Sequence, residues 1–199
     1  NRHLAQVRRA QRGPQVAALF DFDGTIIAGY SATGVLREKF TRGQMSAEEI
    51  IGTAAAMTRY WRGRIGFSEL MTAGAKFMKG VREDSFAELG EDLYCKRIAG
   101  RIYPETREII RAHQAKGHTV AIVSSATLYQ IAPAARELDI DRILCSRYEV
   151  VNGEFTGNIV RPLCFGAGKL TAAELLAGEL GLDLDKSYFY SDSHDDLDL

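Results

Sequence analysis

The 199-residue chain has little of what marks the specialised protein classes. Its three cysteines, Cys95, Cys145 and Cys164, are odd in number and form no Cys-x-x-Cys pair. That speaks against a disulfide framework, and their apolar neighbours make all three expected buried thiols of a reducing compartment. No apolar run approaches the ~18 residues of a membrane span and no signal-peptide pattern is present, so a cytoplasmic location is expected. The net charge is -1, which supplies no global field for nucleic acid or an acidic membrane. There is no internal repeat and no low-complexity tract.

What charge there is lies unevenly. Residues 1–20 carry Arg2, Arg8, Arg9 and Arg12 and no acid, so residues 1–15 are expected to form a solvated basic arm or linker. The last seventeen residues carry six Asp against Lys186 alone. The chain starts at Asn1 and stops at Leu199 where a new helix begins, and it is expected to be part of something longer. Its length suits one domain of ordinary size plus a modest insertion.

Val16–Phe20 is a short apolar run that enters Asp21, as a buried strand enters a loop. Residues 31–100 then show apolar positions at helical spacing, with Phe86, Leu89 and Leu93 on one face, and about four helices are expected there without a strand. Beyond Pro104 a helix over 105–116, a strand over 118–123, a helix over 128–138 and a strand over 142–145 follow. Asn152-Gly153 marks a hairpin between 148–151 and 154–156. A helix over 170–180 and a strand over 187–190 complete the pattern. Strand–helix alternation of this kind predicts an α/β fold, a doubly wound Rossmann-like parallel sheet formed by residues 16–30 and 101–199, with residues 31–100 inserted as a helical cap. In such sheets active groups gather at the carboxyl ends of the strands, where Asp21, Ser124 and Asp192 fall.

The chemistry those residues suit is phosphoryl transfer. A carboxylate at a strand end, Asp21, can attack phosphorus. A second carboxylate two residues on, Asp23, can protonate the leaving alcohol and then deprotonate water. Gly24 allows the tight turn that brings backbone N–H groups to a phosphate. Ser124 can donate its hydroxyl to a phosphate oxygen beside the amides of Ser125 and Ala126. Lys169 opens a helix, where the dipole disfavours it, so a charge-neutralising role is expected. Gly-Ala-Gly-Lys-Leu is no phosphate-binding P-loop, because the first glycine is three residues before the lysine and no Ser or Thr follows it. Asp21 and Asp192 supply the oxygen ligands that suit Mg²⁺, and His194 has no second His or Cys nearby to suggest a softer metal.

DFDGTI, a strand ending in serine, an isolated lysine and SDSHDD, in that order, resemble the four motifs of the haloacid-dehalogenase superfamily of phosphatases. The helical insert resembles the subgroup that contains phosphoserine phosphatase. The resemblance runs from Val16 to the end. It implies Mg²⁺ as cofactor, Asp21 as nucleophile and Asp23 as general acid and base. It also implies Gly24, Thr25, Ser124, Ser125 and Lys169 around the phosphate. The metal is then held by Asp21, the carbonyl of Asp23 and Asp192, with Asp196 in support, and Asp195, a further supporting candidate, stands where phosphoserine phosphatases often have Asn.

At the two positions where phosphoserine phosphatases hold the substrate's charges, this chain has Tyr30 and Gly74, neither charged. A small or lipid-type phosphate ester is therefore expected rather than phosphoserine, with phosphoserine as the alternative and a non-catalytic phosphate- or partner-binding domain as the alternative of another class. The cap wording is also similar to domains that precede a lysophospholipid acyltransferase in actinobacterial chains. That implies a fused acyltransferase beyond Leu199 and a place at the inner face of the membrane. A receiver-type signalling domain shares Asp, Ser and Lys at strand ends but lacks both the second Asp and the cap.

Overall fold

The computed structural model describes residues 2–193. Its centre is a five-stranded sheet of β1 (Ala17–Phe20), β2 (Thr119–Thr127), β3 (Arg142–Val151), β4 (Glu154–Val160) and β5 (Tyr188–Tyr190), in the order β4-β3-β2-β1-β5. β1 pairs in parallel with β2 and β5, and β2 in parallel with β3. At one edge β4 runs antiparallel to β3, as the expected hairpin requires. The reason is local. Asn152 and Gly153 take φ of 54° and 78°, a turn that sends the chain straight back along the strand it left. β3 is accordingly a single strand that includes both the expected 142–145 segment and the first arm of the hairpin.

The parallel strands are apolar on both faces because both faces are covered. On one side Ala17, Leu19, Ala121 and Val123 pack with Ala173 and Leu176 of α8 (Ala167–Leu180). On the other, Phe20 and Ile122 meet Ile109 and Ile110 of α6 (Pro104–Ala115) and Ile131 and Ala134 of α7 (Leu128–Glu137). Phe20 and Ile122 are wholly buried, worth about 1.5–3 kcal/mol each. Their pairing across β1 and β2 sets the register that leaves Asp21 and Ser124 just beyond, at the carboxyl edge.

Between β1 and α6 lie α2 (Ser31–Thr41), α3 (Ala47–Trp61), α4 (Phe67–Lys76) and α5 (Glu83–Leu93). Phe86, Leu89 and Leu93 are buried as their spacing predicts. Gly90 lets α5 lie against α7, since a Cβ there would stand 2.1 Å from the Tyr129 carbonyl oxygen. The β3–β4 hairpin seats this cap. Gly80 N–H donates to Phe155 O at 2.8 Å, Phe155 N–H to Val81 O at 3.0 Å and Glu83 N–H to Gly153 O at 2.9 Å. Phe67 of α4 also stacks on Phe165 of the core, ring centroids 4.3 Å apart.

Two sequence expectations are corrected. The basic arm is a docked helix, α1 (Arg2–Arg9), with Val7 fully buried. Lys116 Nζ donates to the carbonyls of Arg8 at 2.7 Å and Ala10 at 3.1 Å, so contacts far along the chain hold what its own charge pattern presents as solvated. Cys95 is exposed and Cys145 half-buried, leaving Cys164 the buried thiol. Of the cap's large apolar residues Met78 is buried, whereas Phe40 and Trp61 are 62% and 75% exposed. Among the described residues no helix is long and apolar enough to cross a membrane.

Candidate active site

Asp21 follows β1 and continues its ladder, its N–H donating to Tyr190 O at 2.9 Å. The residue is 7% exposed. Lys169 Nζ lies 2.9 Å from its Oδ2, and Phe22 N–H donates to its Oδ1 at 2.7 Å. Lys169 sits in the first turn of α8, is 3% exposed, and reaches from the second covering layer to the end of β1. A buried ammonium at a helix N-terminus is doubly unfavourable, by desolvation and by the dipole, and the Asp21 carboxylate offsets both.

Asp23 accepts two hydrogen bonds from Ser31, the first residue of α2: the amide to Oδ1 at 2.8 Å and the hydroxyl to Oδ2 at 3.1 Å. Burial nevertheless pushes its carboxyl up to about 6, against the lowering effect of both Ser31 bonds, and the negative charges of Asp21 and Asp192 add to the rise. Asp23 thus feels the charge of two other carboxylates at the strand ends.

Gly24 and Thr25, expected beside the phosphate, lie against Asp192. The Gly24 N–H is taken up by Ile27 O at 2.9 Å and Gly29 O at 3.1 Å. Its φ is +77°, and a Cβ there would fall 2.2 Å from Asp192 Oδ2. Thr25 Oγ1 donates to Asp192 Oδ1 at 3.3 Å and accepts the Asp192 N–H at 3.1 Å. Together these residues seat Asp192, leaving its carboxylate room beside the turn. Ser124 is 1% exposed and its Oγ accepts the Ala126 N–H at 3.3 Å, within an irregularity of β2 that runs from Ser124 to Thr127. Ser125 is half-buried in the same stretch.

The two cap positions contribute no charge. Tyr30 is 67% exposed, and the nearest group beside Gly74 is the Tyr148 hydroxyl, 3.7 Å from where a Cβ would stand. Asp195 and Asp196 lie outside the described residues. Sequence reasoning missed Ser31, Thr127 and Gln130, which pack behind Asp23. Thr127-x-x-Gln130 does carry a helix-capping signal that marks the latter two. A cavity of about 760 Å³ opens at the far, amino-terminal end of the strands between Gln15, Glu174 and Lys186, remote from this chemistry.

Among the described residues no three His, Cys, Asp or Glu side chains gather as a metal cluster. A site of two carboxylates and a main-chain carbonyl needs no such cluster. Hard oxygen donors from Asp21 and Asp192, whose negative charges both act on Asp23, fit Mg²⁺.

The family model described as haloacid dehalogenase-like hydrolase matches residues 18–199. The chain belongs to that family. With its helical cap this haloacid dehalogenase-like hydrolase falls in the phosphoserine-phosphatase-like subgroup. Phosphoserine phosphatase SerB1 of Mycobacterium tuberculosis is 32% identical to it over 186 residues, 91% of this chain and 60% of that protein. The chain spans about three fifths of the length of the first curated relatives it matches. A protein of unknown function from Bordetella pertussis Tohama I shares its structure with a TM-score of 0.81 at 25% identity, over 94% of this chain and 85% of that one. A phospho-aspartyl intermediate analogue of phosphoserine phosphatase has a TM-score of 0.62 at 19% identity, over 91% and 78%, a likeness of fold.

Proposed function

We propose that the protein hydrolyses a phosphomonoester through a covalent phosphate on Asp21. The observation that carries this reading is the buried Asp21–Lys169 pair at 2.9 Å, with a second carboxyl two residues on that burial holds near neutral pH. An Asp21 oxygen attacks phosphorus, the ester P–O bond breaks, and Asp23 gives its proton to the departing alkoxide. Asp23, now a carboxylate, takes a proton from water. The water oxygen attacks phosphorus, the Asp21–phosphate bond breaks, and inorganic phosphate leaves. A group titrating near 6 can serve in both directions at cytoplasmic pH. Lys169 offsets charge on the phosphoryl group, and Ser124 and Ser125 bind its oxygens. Mg²⁺, held by Asp21, Asp192 and the Asp23 carbonyl, would supply electrostatic stabilisation of the transferring group.

For the substrate, the subgroup and the name of the SerB1 relative support phosphoserine, which is the first compound to test. A second reading, a phosphate ester without an amino-acid head, rests on Tyr30 and Gly74. A zwitterion closed into the site needs each charge paired, since an unpaired buried charge costs several kcal/mol. Neither residue supplies a partner.

The mechanism is tested by trapping. Asp21→Asn should abolish turnover and the radiolabelled phosphoenzyme together, and normal activity in that variant would sink it. The substrate is tested by kcat/KM for phosphoserine, glycerol phosphate and lysophosphatidate at fixed Mg²⁺. A tenfold or greater lead for phosphoserine would eliminate the second reading.

A further inference from the structure

Asp23 does not stand alone at the loop. Both its oxygens are held by Ser31, and Ser31 is itself held by residues far along the chain. Gln130 Nε2 donates to Ser31 Oγ at 2.7 Å. The other end of that amide is fixed as well, since Gln130 Oε1 accepts Thr127 N–H at 2.9 Å and Thr127 Oγ1–H at 2.7 Å. All three side chains are buried, with Ser31 2%, Thr127 3% and Gln130 6% exposed.

The proton directions follow without choice. Two donors meet Oε1, so the Gln130 amide nitrogen must face Ser31. Ser31 Oγ accepts from that nitrogen and turns its own hydrogen to Asp23 Oδ2. A helix cap in the core thus sets the hydroxyl of the cap's first residue, which sets the carboxyl rotamer.

From this we infer that Ser31 is a positioning residue for the proton transfers of Asp23, and that Gln130 and Thr127 act through it. The inference rests on the hydrolytic mechanism proposed above. It means that the first turn of α2 belongs functionally to the core. The aim of Asp23 is fixed at the junction where the cap begins, by a chain of bonds spanning residues 23 to 130.

The test compares leaving groups. Ser31→Ala removes the hydroxyl and keeps the Ser31 amide bond to Oδ1. Nitrophenolate leaves with little protonation, so the pre-steady-state burst from 4-nitrophenyl phosphate should persist within about twofold. Steady-state turnover of that substrate should fall roughly tenfold, with phosphoenzyme accumulating, because water activation still needs an aimed Asp23. An alkyl phosphate, whose leaving group needs the proton, should by contrast lose its burst. Gln130→Met should show the same pattern more weakly, and Ser31→Thr, which restores the hydroxyl, should recover it.

Equal losses on both leaving groups without phosphoenzyme, or unchanged kinetics, would overturn the role of Ser31 while leaving the mechanism intact. A parent protein that forms no phosphoenzyme would remove both. Unfolding midpoints of each variant separate lost positioning from lost folding, and a Ser31→Thr variant that folds but fails to rescue also counts against the role.

Discussion

Replacing Lys169 by methionine is the sharpest probe of the site's electrostatics. In the native protein the ammonium is 2.9 Å from Asp21 Oδ2, and the two residues are 3% and 7% exposed. Methionine fills similar space without a charge. Asp21 is then a buried carboxylate beside Asp23 and Asp192, with its cation gone. Breaking a buried ion pair from one side costs about 3–5 kcal/mol. The Phe22 N–H still bonds Asp21 Oδ1, and Asp192 lies at the open edge, so the lower end applies, about 3 kcal/mol. For a chain of this length that is a fall of about 6–12 °C in Tm. Asp21→Asn should cost less, since it weakens one contact of Lys169 and relieves the repulsion that Asp23 feels from Asp21. The double variant should be more stable than the two losses predict, with a coupling of about 1–3 kcal/mol. The assay is thermal unfolding at pH 7.5 in chelator, where no divalent cation can substitute for the lysine. A Lys169→Met protein within ~1 °C of the parent, or additive losses, would refute the argument that this pair is dry and coupled.

Two further outcomes are expected. Gly24→Ala places a Cβ 2.2 Å from Asp192 Oδ2 at a φ of +77°, so it should raise the Mg²⁺ concentration needed for activity about tenfold or more, with phosphatase titrations against Mg²⁺ as the measure. His113 is wholly buried and its imidazole is pushed down to about 4 from an ordinary 6.5, first by burial and then by neighbouring His118. The His118 Nε2–H donates to Gln11 O, which leaves His118 Nδ1 to accept from His113 Nδ1 and His113 Nε2 to accept from the Tyr190 hydroxyl, all with neutral rings. The folded value is the lower one, so the stabilisation is complete above pH 6.5 and is lost as pH falls from 6.5 to 4. It is worth about 2 kcal/mol after allowance for screening. Urea midpoints at pH 7.5 and pH 5 should therefore differ more for the parent than for His113→Gln, and equal differences would contradict this.

The sequence by itself determined the α/β core with its helical insert and the residues at its strand ends. Buried parallel strands must be apolar on both faces, so 16–20, 118–123 and 187–190 stand out, and a polar residue within two positions of the end of such a run falls at the sheet's carboxyl edge. Asp21, Ser124 and Asp192 were legible for that reason. Lys169 was legible because a lysine opening a helix opposes the dipole. Local turn chemistry was equally plain at Asn152-Gly153, but that the hairpin seats the cap was not.

Only the tertiary structure decided what depends on contacts between distant residues. Ser31 and Gln130 are 99 positions apart, and no periodicity links them. α1 is held by Lys116 and the residues just after it by His118, which their own composition does not foresee. Gly24 and Thr25 take their role from Asp192, which reaches them only once β5 has paired beside β1. Helical spacing says which cap residues share a face but not what that face meets, so Phe40 and Trp61 could be placed on helices and not in or out of a core. Short-range pattern fixes element and edge. Which side chain completes another's hydrogen bonds is set by packing, and packing joins residues that the chain itself keeps far apart.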